Sequence, residues 1–523
     1  MTLSHPDDHP PHTLHALARA AGIAVDDGLP DPAIAGLTFD SRRVRPGWLY
    51  LAMPGARTHG ARFSAQAVDQ GAVAVLTDPD GAALAAAAGV PVLISDRPRQ
   101  AMAAVSQAFH GHPSRQVPMF AVTGTNGKTT TTFLIEAALA ELGLVVGTVG
   151  TLGFRLDGHQ LDWSTSTVTT PEAPDLQHLF ATMVERGAQA IAMEVSSHAL
   201  ALSRVAGTEF AVAGFTMLGR DHLDFHADMD DYFAAKASLF TGDALTGAGA
   251  RHAVVCIDDD WGRKLAGLVT DRPLTTVGRA READVRILGA ETDPEHPGVQ
   301  RVRLDMDGQR LEFSLPLPGD YNVTNAALAL AMVHAAGLDA VVASRGLRHA
   351  SVPGRMQRVD LPGAAPVVIV DFAHTPQAVD EALGAVTTPG RTLVVLGAGG
   401  DRDAEKRPLM GRAAARGADV VVVTDDNPRT ENPAVIRAAV AAGATGLGRA
   451  EVVEVGGRRE AIRRALSLAG PEDVVMVLGK GHEQGQQVGD TVIEFDDVQV
   501  VRDEWATLVG NHAMVANGDE GRQ

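Results

Sequence analysis

A chain of 523 residues is longer than one hydrophobic core normally serves, and at roughly 150 residues per domain it predicts three or four domains. Hydrophobic residues make up 45% and charged residues 21%, which excludes a wholly disordered chain. With 45 Lys and Arg against 64 Asp and Glu the net charge is −19, which excludes a general affinity for nucleic acid or anionic lipid. Cys256 is the only cysteine, so neither an intramolecular disulfide nor a cysteine metal cluster can form, which suits a reducing cytoplasm. Asp7, Asp8, His9, Pro10 and Pro11 give the N-terminus no basic start or apolar run of a signal peptide. No stretch reaches the roughly 20 apolar residues of a membrane span, so the expectation is a cytoplasmic protein without membrane insertion or nucleic-acid binding.

In chain order, AVAVLTD (72–78) and VPVLISD (90–96) alternate with alanine-rich helical segments and predict a small α/β domain over 1–100. After a linker at His110-Gly111-His112-Pro113, VPMFAVT (117–123) reads as a buried strand that enters a glycine turn and a helix from Lys128. Strands near 189–195, 210–216 and 252–257 predict a mostly parallel sheet in a central domain over 101–351. Two more strands flank Asp307-Gly308, a hairpin signal. Over 352–523, PVVIVD, TLVVLG, ADVVVVTD and DVVMVLG alternate with helices at the spacing of a doubly wound sheet. The last ten residues read as a disordered tail.

The sharpest chemical signal is Gly124-Thr125-Asn126-Gly127-Lys128-Thr129-Thr130, set between a buried strand and a helix. There, backbone N–H groups and a helix N-terminus can hold phosphate oxygens, Lys128 can neutralise β/γ-phosphate charge, and the Thr129 hydroxyl can coordinate Mg²⁺. Two residues rather than four separate the glycines, which argues against generic kinases and GTPases. Read alone, Glu194 in Met193-Glu194-Val195-Ser196-Ser197-His198 could be a solvated strand terminus. His222 in Arg220-Asp221-His222-Leu223-Asp224-Phe225-His226 could be a ligand or a surface pair, Lys236 a solvated helix residue, and Asn322 an N-cap.

In its short form TGTNGKTTT resembles the ATP loop of the Mur ligases and their folylpolyglutamate synthetase relatives, and the other stations follow in order from about residue 40 to 490. The resemblance implies an α/β protein of three-domain Mur ligase architecture, with a P-loop-type, mostly parallel central sheet and a doubly wound C-terminal domain. It implies an ATP-dependent, Mg²⁺-using enzyme that forms amide bonds. The ATP-binding residues would be Gly124 to Thr130 with Asn325, Arg355 on phosphate and Asp371 on ribose. The metal ligands would be Thr129, Glu194, His222 and Lys236, the last as a carbamate made with carbon dioxide, and Lys128, Glu194, His222 and Lys236 would carry catalysis.

Asp40-Ser41-Arg42 and the stretch Gly55 to Gly60 resemble the region of the family that binds UDP, with Ser41 as the contact. Thr169, Thr170, Ser196 and Arg204 match positions that hold a UDP-N-acetylmuramoyl-dipeptide. Asp426-Asn427-Pro428-Arg429 could be an ordinary turn, yet it resembles the family's diaminopimelate-selecting motif. Diaminopimelate is lysine plus one carboxylate, and an arginine can require that group. Arg402 would bind a substrate carboxylate, and Gly479 and Glu483 of Gly479-Lys480-Gly481-His482-Glu483 the amino-acid end, with Glu483 on its ammonium. The resemblance thus implies addition of meso-diaminopimelate to UDP-N-acetylmuramoyl-L-alanyl-D-glutamate by a monomer, with a lysine-adding or folylpolyglutamate-type ligase as the alternatives. Met217, Leu202 and Cys256 depart from the family pattern, where Asn, Gln and Asn are common.

Overall fold

A computed structural model describes residues 12–519 except 27, 56, 164–168, 224, 243–246, 248, 294–297 and 447, and for 510–519 the backbone alone. Two compact units emerge. One holds the described residues of Met1–Leu288, Leu304–Leu311 and Thr324–Gly346, and the other those of Gly289–Arg303, Glu312–Val323 and Leu347–Gln523.

The first unit begins with a four-stranded parallel sheet, β1 (Gly36–Thr38), β2 (Trp48–Leu51), β3 (Ala72–Thr77) and β4 (Val92–Ile94), in that spatial order. Alternate residues face two cores. Leu49, Leu51, Ala74 and Leu76 pack with Leu14, Leu17, Met102 and Val105, while Trp48, Tyr50 and Val75 pack with Ala67 and Ala85.

The larger sheet of this unit takes β5 (Met119–Thr123), which leads into α1 (Lys128–Glu141), then β6 (Val146–Gly150), α2 (Ala173–Glu185), β7 (Ala190–Glu194), α3 (Ser197–Ala201), β8 (Val212–Phe215), α4 (Met229–Thr241), β9 (His252–Cys256) and β10 (Leu274–Gly278). The spatial order β6-β7-β5-β8-β9-β10 is parallel throughout. Every residue of β5, β6, β7 and β8 is buried, the pattern of strands covered on both faces. Because β5 lies between β7 and β8, the loop after Thr123 and the ends of β7 and β8 meet at one carboxyl edge, where open α/β sheets bind ligands. The edge is stitched by Thr123 Oγ1 donating to Val195 O at 2.7 Å and Thr216 N to Thr123 O at 3.0 Å.

The strands β11 (Gln300–Met306) and β12 (Gln309–Leu315) are neighbours joined through Asp307 and Gly308, both at positive φ (53° and 78°), as a tight hairpin turn requires. The helix α5 (Asp320–Ala335) starts two residues before Asn322, so Asn322 is not its cap; its amide nitrogen instead donates to Pro318 O at 2.8 Å.

The second unit is doubly wound. Its strands β13 (Val367–Asp371), β14 (Thr392–Leu396), β15 (Val420–Val423), β16 (Glu451–Glu454) and β17 (Val474–Leu478) lie parallel in the order β13-β17-β14-β15-β16. Between them run α6 (Pro376–Gly384), α7 (Lys406–Gly417), α8 (Pro433–Thr445) and α9 (Arg458–Leu468), with α10 (Asp497–Asp519) last. Helices α6, α7 and α8 cover one face through Val379, Met410 and Val440, and α9 and α10 cover the other through Ile462 and Val501. The expected tail is helical through Asp519, because Asn511 to Ala516 keeps helix-compatible residues after the anchored start of α10. Among the described residues no helix is long and apolar enough to cross a membrane.

That anchor is a fully buried ion pair, Arg458 with Asp497 at 2.7 Å on two nitrogens, with Arg458 also donating to Leu478 O at 3.0 Å. Removing one partner strands the other charge in a dry core. Asp497→Ala is expected to cost this unit about 3–5 kcal/mol in urea unfolding, whereas Arg458→Met combined with Asp497→Leu should recover most of the loss.

Candidate active site

Gly124 and Gly127 sit at φ of 150° and 85°. A Cβ on Gly124 would lie 1.9 Å from Thr216 Oγ1, and one on Gly127 would lie 2.5 Å from Asn325 Oδ1. Glycine is therefore required twice, and the close approach sets Asn325 against the loop. Thr125 N donates to Met217 O (2.8 Å), its hydroxyl donates to Gly219 O (3.2 Å), and Thr216 Oγ1 donates to Asn126 O (2.6 Å). Met217 contacts the loop through its carbonyl, so the unusual side chain leaves this bond intact. Lys128 opens α1 and its amine donates to Gly124 O and Thr125 O, both at 2.9 Å, while Thr129 and Thr130 occupy the first turn beside it.

On the other side of the loop, the buried Lys236 of α4 donates to Gly124 O at 2.9 Å and lies 4.7 Å from the centre of the Tyr232 ring. Burial pushes its ammonium well below the ordinary lysine range, the nearby Lys128 charge adds to this, and Asp221 opposes it. Tyr232 shares a 3.1 Å hydrogen bond with the Thr125 hydroxyl, and burial pushes its phenol up to about 12. The His222 ring stands 5.9 Å from Tyr232 and 5.0 Å from His198, on a backbone held at φ 53°. Asp224 of the same motif lies outside the described residues.

Glu194 ends β7, almost wholly buried, with Oε1 accepting from Thr151 N (2.8 Å) and Oε2 from the Thr151 hydroxyl (3.0 Å). Thr151 also pairs with the Thr169 hydroxyl (3.1 Å), and Thr170 donates to Glu194 O (3.0 Å). Ser196 caps α3 by accepting from Ala199 N. Arg204 donates to Thr170 O at 3.0 Å and to Glu172 Oε1 at 3.0 Å, and Arg99 reaches the other oxygen of Glu172 at 3.2 Å. Ser41 lies buried in a single helical turn capped by Asp40, its hydroxyl 3.3 Å from Gln66 Oε1. Within Gly55 to Gly60, residue 56 lies outside the described residues.

In the second unit the carboxylate of Asp371 accepts from Met356 N (2.7 Å) and Ala373 N (2.8 Å). Burial pushes its pKa up, against the pull of those amides and of Arg355. Arg355 lies 4.7 Å over the Phe372 ring, which packs at 4.9 Å on His482, whose imidazole is pushed down to about 4 by burial. The motif 426–429 follows β15. Asn427 Nδ2 donates to Glu483 Oε2 at 2.8 Å, Arg429 Nη1 to Gly400 O at 2.7 Å, and Gly400 N to the Asn427 carbonyl at 2.9 Å. A Cβ on Gly400 would fall 1.9 Å from Pro428 O, one on Gly399 would meet Arg429 at 3.0 Å and Arg402 at 3.8 Å, and one on Gly479 would meet Asp426 Oδ2 at 2.6 Å. The loops at 399–402, 426–429 and 479–483 thus lie against one another, with the Arg402 side chain exposed at the edge.

Three family models match in succession. Mur ligase family, catalytic domain, covers 33–110, Mur ligase middle domain 122–333, and Mur ligase, glutamate ligase domain, 354–481. The chain belongs to the Mur ligase family. These are ATP-dependent enzymes that form amide bonds, and the chain has their α/β fold. It is 45% identical to the UDP-N-acetylmuramoyl-L-alanyl-D-glutamate–2,6-diaminopimelate ligase of Corynebacterium glutamicum over 90% of this chain and 92% of that protein. It is also 45% identical to the protein of the same name from Streptomyces coelicolor over 94% and 96%. A solved structure of a UDP-N-acetylmuramoyl-L-alanyl-D-glutamate–2,6-diaminopimelate ligase matches with a TM-score of 0.71 at 29% identity, covering 94% of this chain and 99% of that one.

For a Mur ligase the motif reading passed over several residues that hold the site together. Thr151 carries Glu194, Tyr232 stands among Thr125, His222 and Lys236, Glu172 gathers two arginines, and Lys480 touches Glu483 and Asn427. Tyr232 stands one turn before Lys236 and Lys480 lies inside the Gly479 to Glu483 motif, whereas Thr151 and Glu172 left no trace in sequence.

Proposed function

We propose that this Mur ligase adds meso-diaminopimelate to the D-glutamyl γ-carboxylate of UDP-N-acetylmuramoyl-L-alanyl-D-glutamate, consuming ATP, in peptidoglycan synthesis in the cytoplasm. The observation that supports the choice of amino acid is that the loops bearing Arg402, Asn427, Arg429 and Glu483 lie side by side in the second unit, with Asn427 bonded to Glu483, Arg429 bonded to Gly400 O and Gly399 set between Arg429 and Arg402; together they would offer cations for two carboxylates and an anion for an ammonium group. Lysine would leave one of those cations without a partner.

Carboxylates and amines do not condense at neutral pH. The γ-carboxylate oxygen first attacks the terminal phosphorus of ATP, forming an acyl phosphate and releasing ADP. The neutral amine then attacks the acyl carbon, the carbon–oxygen bond to phosphate breaks, and the amine's proton is lost. Lys128 and the amides at the start of α1 would stabilise the charge moving on phosphate, and Asn325, Arg355 and Asp371 would hold the nucleotide. Thr169, Thr170, Ser196 and Arg204 would hold the dipeptide, with Ser41 on the UDP end. Thr129 at the start of α1, Glu194 at the end of the strand beside β5 and His222 after β8 would supply a hydroxyl, a carboxylate and an imidazole to Mg²⁺, and Lys236 would join them as a carbamate. Bound there, Mg²⁺ would neutralise phosphate charge. Domains spanning 1–100, 101–351 and 352–523 would carry the UDP end, ATP and the amino acid, in a chain acting as a monomer.

The test is phosphate release from ATP with the UDP-dipeptide and meso-diaminopimelate, L-lysine or no amine. Release that requires diaminopimelate, with a product heavier by that residue, is expected. Preference for lysine would overturn the reading of Asn427 and Arg429.

A further inference from the structure

Against Asn427 and Glu483 lies a lysine to which neither the motifs nor the proposed chemistry gives a task. Lys480 is fully buried, and its Nζ donates to Glu483 Oε2 at 2.9 Å and Asn427 Oδ1 at 3.2 Å. Asn427 Oδ1 also accepts from Gln487 N at 2.9 Å, on the strand Gly485–Val488. Two donors on one side of the amide fix its orientation, so Nδ2 must face Glu483, to which it donates at 2.8 Å. Both bonds to Glu483 fall on Oε2, which leaves Oε1 as the oxygen to meet an incoming ammonium.

The same strand, paired with Thr491–Glu494, and the turn after it grip the motif further. Gln486 Nε2 donates to Asp426 O at 2.5 Å, Arg429 N to Gln487 O at 3.0 Å, and Gly489 N to Arg429 O at 2.7 Å. Arg429 is held at φ 50°, a left-handed conformation that an unsupported arginine rarely keeps. Asn427, Arg429 and Glu483 are thereby fixed against one another by the stretch 480–489.

We propose that Lys480 is a positioning residue for amino-acid recognition: it holds Glu483 and Asn427 in a fixed triangle and keeps Glu483 an anion ready for the substrate ammonium. This rests on the reading above that Glu483 takes that ammonium. A merely structural ion pair would be an odd choice here, since burying a lysine against a half-buried carboxylate gains little over an apolar pair. Burial alone would push the Glu483 carboxyl up, and the Lys480 charge and hydrogen bond, with that of Asn427, turn the balance to a lowered pKa. The other charged groups around Glu483 do not replace Lys480. His482 is pushed down to about 4 and is neutral at working pH, Arg458 is committed to Asp497, and Asp426 carries the opposite sign.

The test compares the intact enzyme with Lys480→Met and Lys480→Arg in the phosphate-release assay. Lys480→Met is expected to raise KM for diaminopimelate roughly 10- to 100-fold, with kcat and KM for ATP and the UDP-dipeptide little changed. The acid limb of kcat/KM for diaminopimelate should move to higher pH, because Glu483 then protonates more readily, and Lys480→Arg should bring that limb back toward the wild type. In a Glu483→Gln background Lys480→Met should add little, since its effect runs through Glu483. A wild-type KM and acid limb in Lys480→Met, or equal losses for all three substrates, would overturn the proposal. Should Lys480→Met fail to fold, an acid limb displaced in Lys480→Arg would overturn it. A wild-type enzyme without diaminopimelate-dependent turnover would overturn the underlying reading instead.

Discussion

Lys128→Met is expected to lower turnover by roughly 10²- to 10³-fold while leaving the fold in place, as read by phosphate release and thermal unfolding. The amine stands at the N-terminus of α1 and turns inward over the loop, donating to Gly124 O and Thr125 O. A phosphate cradled by the amides of that loop would meet this ammonium as the nearest mobile charge, and charge displaced onto the β/γ bridge would lose its counterion in the methionine variant. The loop itself should survive, because Gly124 O keeps a second donor in Lys236 and Thr125 and Asn126 stay pinned to residues after β8. Arginine should not rescue, since its planar fork is too large for a point charge at this place. Wild-type turnover in Lys128→Met would remove the loop from phosphate handling.

How far this site could be read beforehand follows from where its information lies. The strand, loop and helix around Lys128 are local: a fully apolar run, two glycines and a run of threonines sit within fifteen residues, and the parallel sheet demands that pattern. The same holds for the Asp307-Gly308 turn and for the β13, β14, β15 and β17 runs, whose burial on both faces goes with a nearly continuous apolar sequence.

What stayed hidden depends on contacts between distant segments. Thr151 serves Glu194 across 43 positions, Lys480 serves Asn427 across 53, and Gln487 serves Asn427 across 60. Nothing in a threonine after a strand, or a lysine between two glycines, reveals those partners. The strands Gly485–Val488 and Thr491–Glu494 escaped for another reason: neither has a buried apolar face, and the first is tied to residues 426–429 by hydrogen bonds.

The buried amine of Lys236 gives the second large effect. Carbon dioxide reacts with a neutral amine, not an ammonium, and burial with Lys128 nearby drives Lys236 toward the neutral form. Addition of carbon dioxide to the neutral amine makes a carbamate and releases one proton, giving an anion that the Lys128 charge attracts. Two consequences are expected under the proposed function. Intact mass of the native protein should include a population heavier by one carbon dioxide, and turnover should fall in carbonate-free buffer and return on adding bicarbonate. Lys236→Met, which can neither ionise nor carry carbon dioxide, should lose on the order of 10²-fold in turnover yet be no less stable than the wild type at neutral pH, because the burden of a desolvated ammonium is gone while the methionine can fill the space beside Tyr232. Bicarbonate should not restore Lys236→Met. Full activity of that variant, or indifference of the wild type to bicarbonate together with an unmodified mass, would show that Lys236 supports the loop only through its hydrogen bond to Gly124.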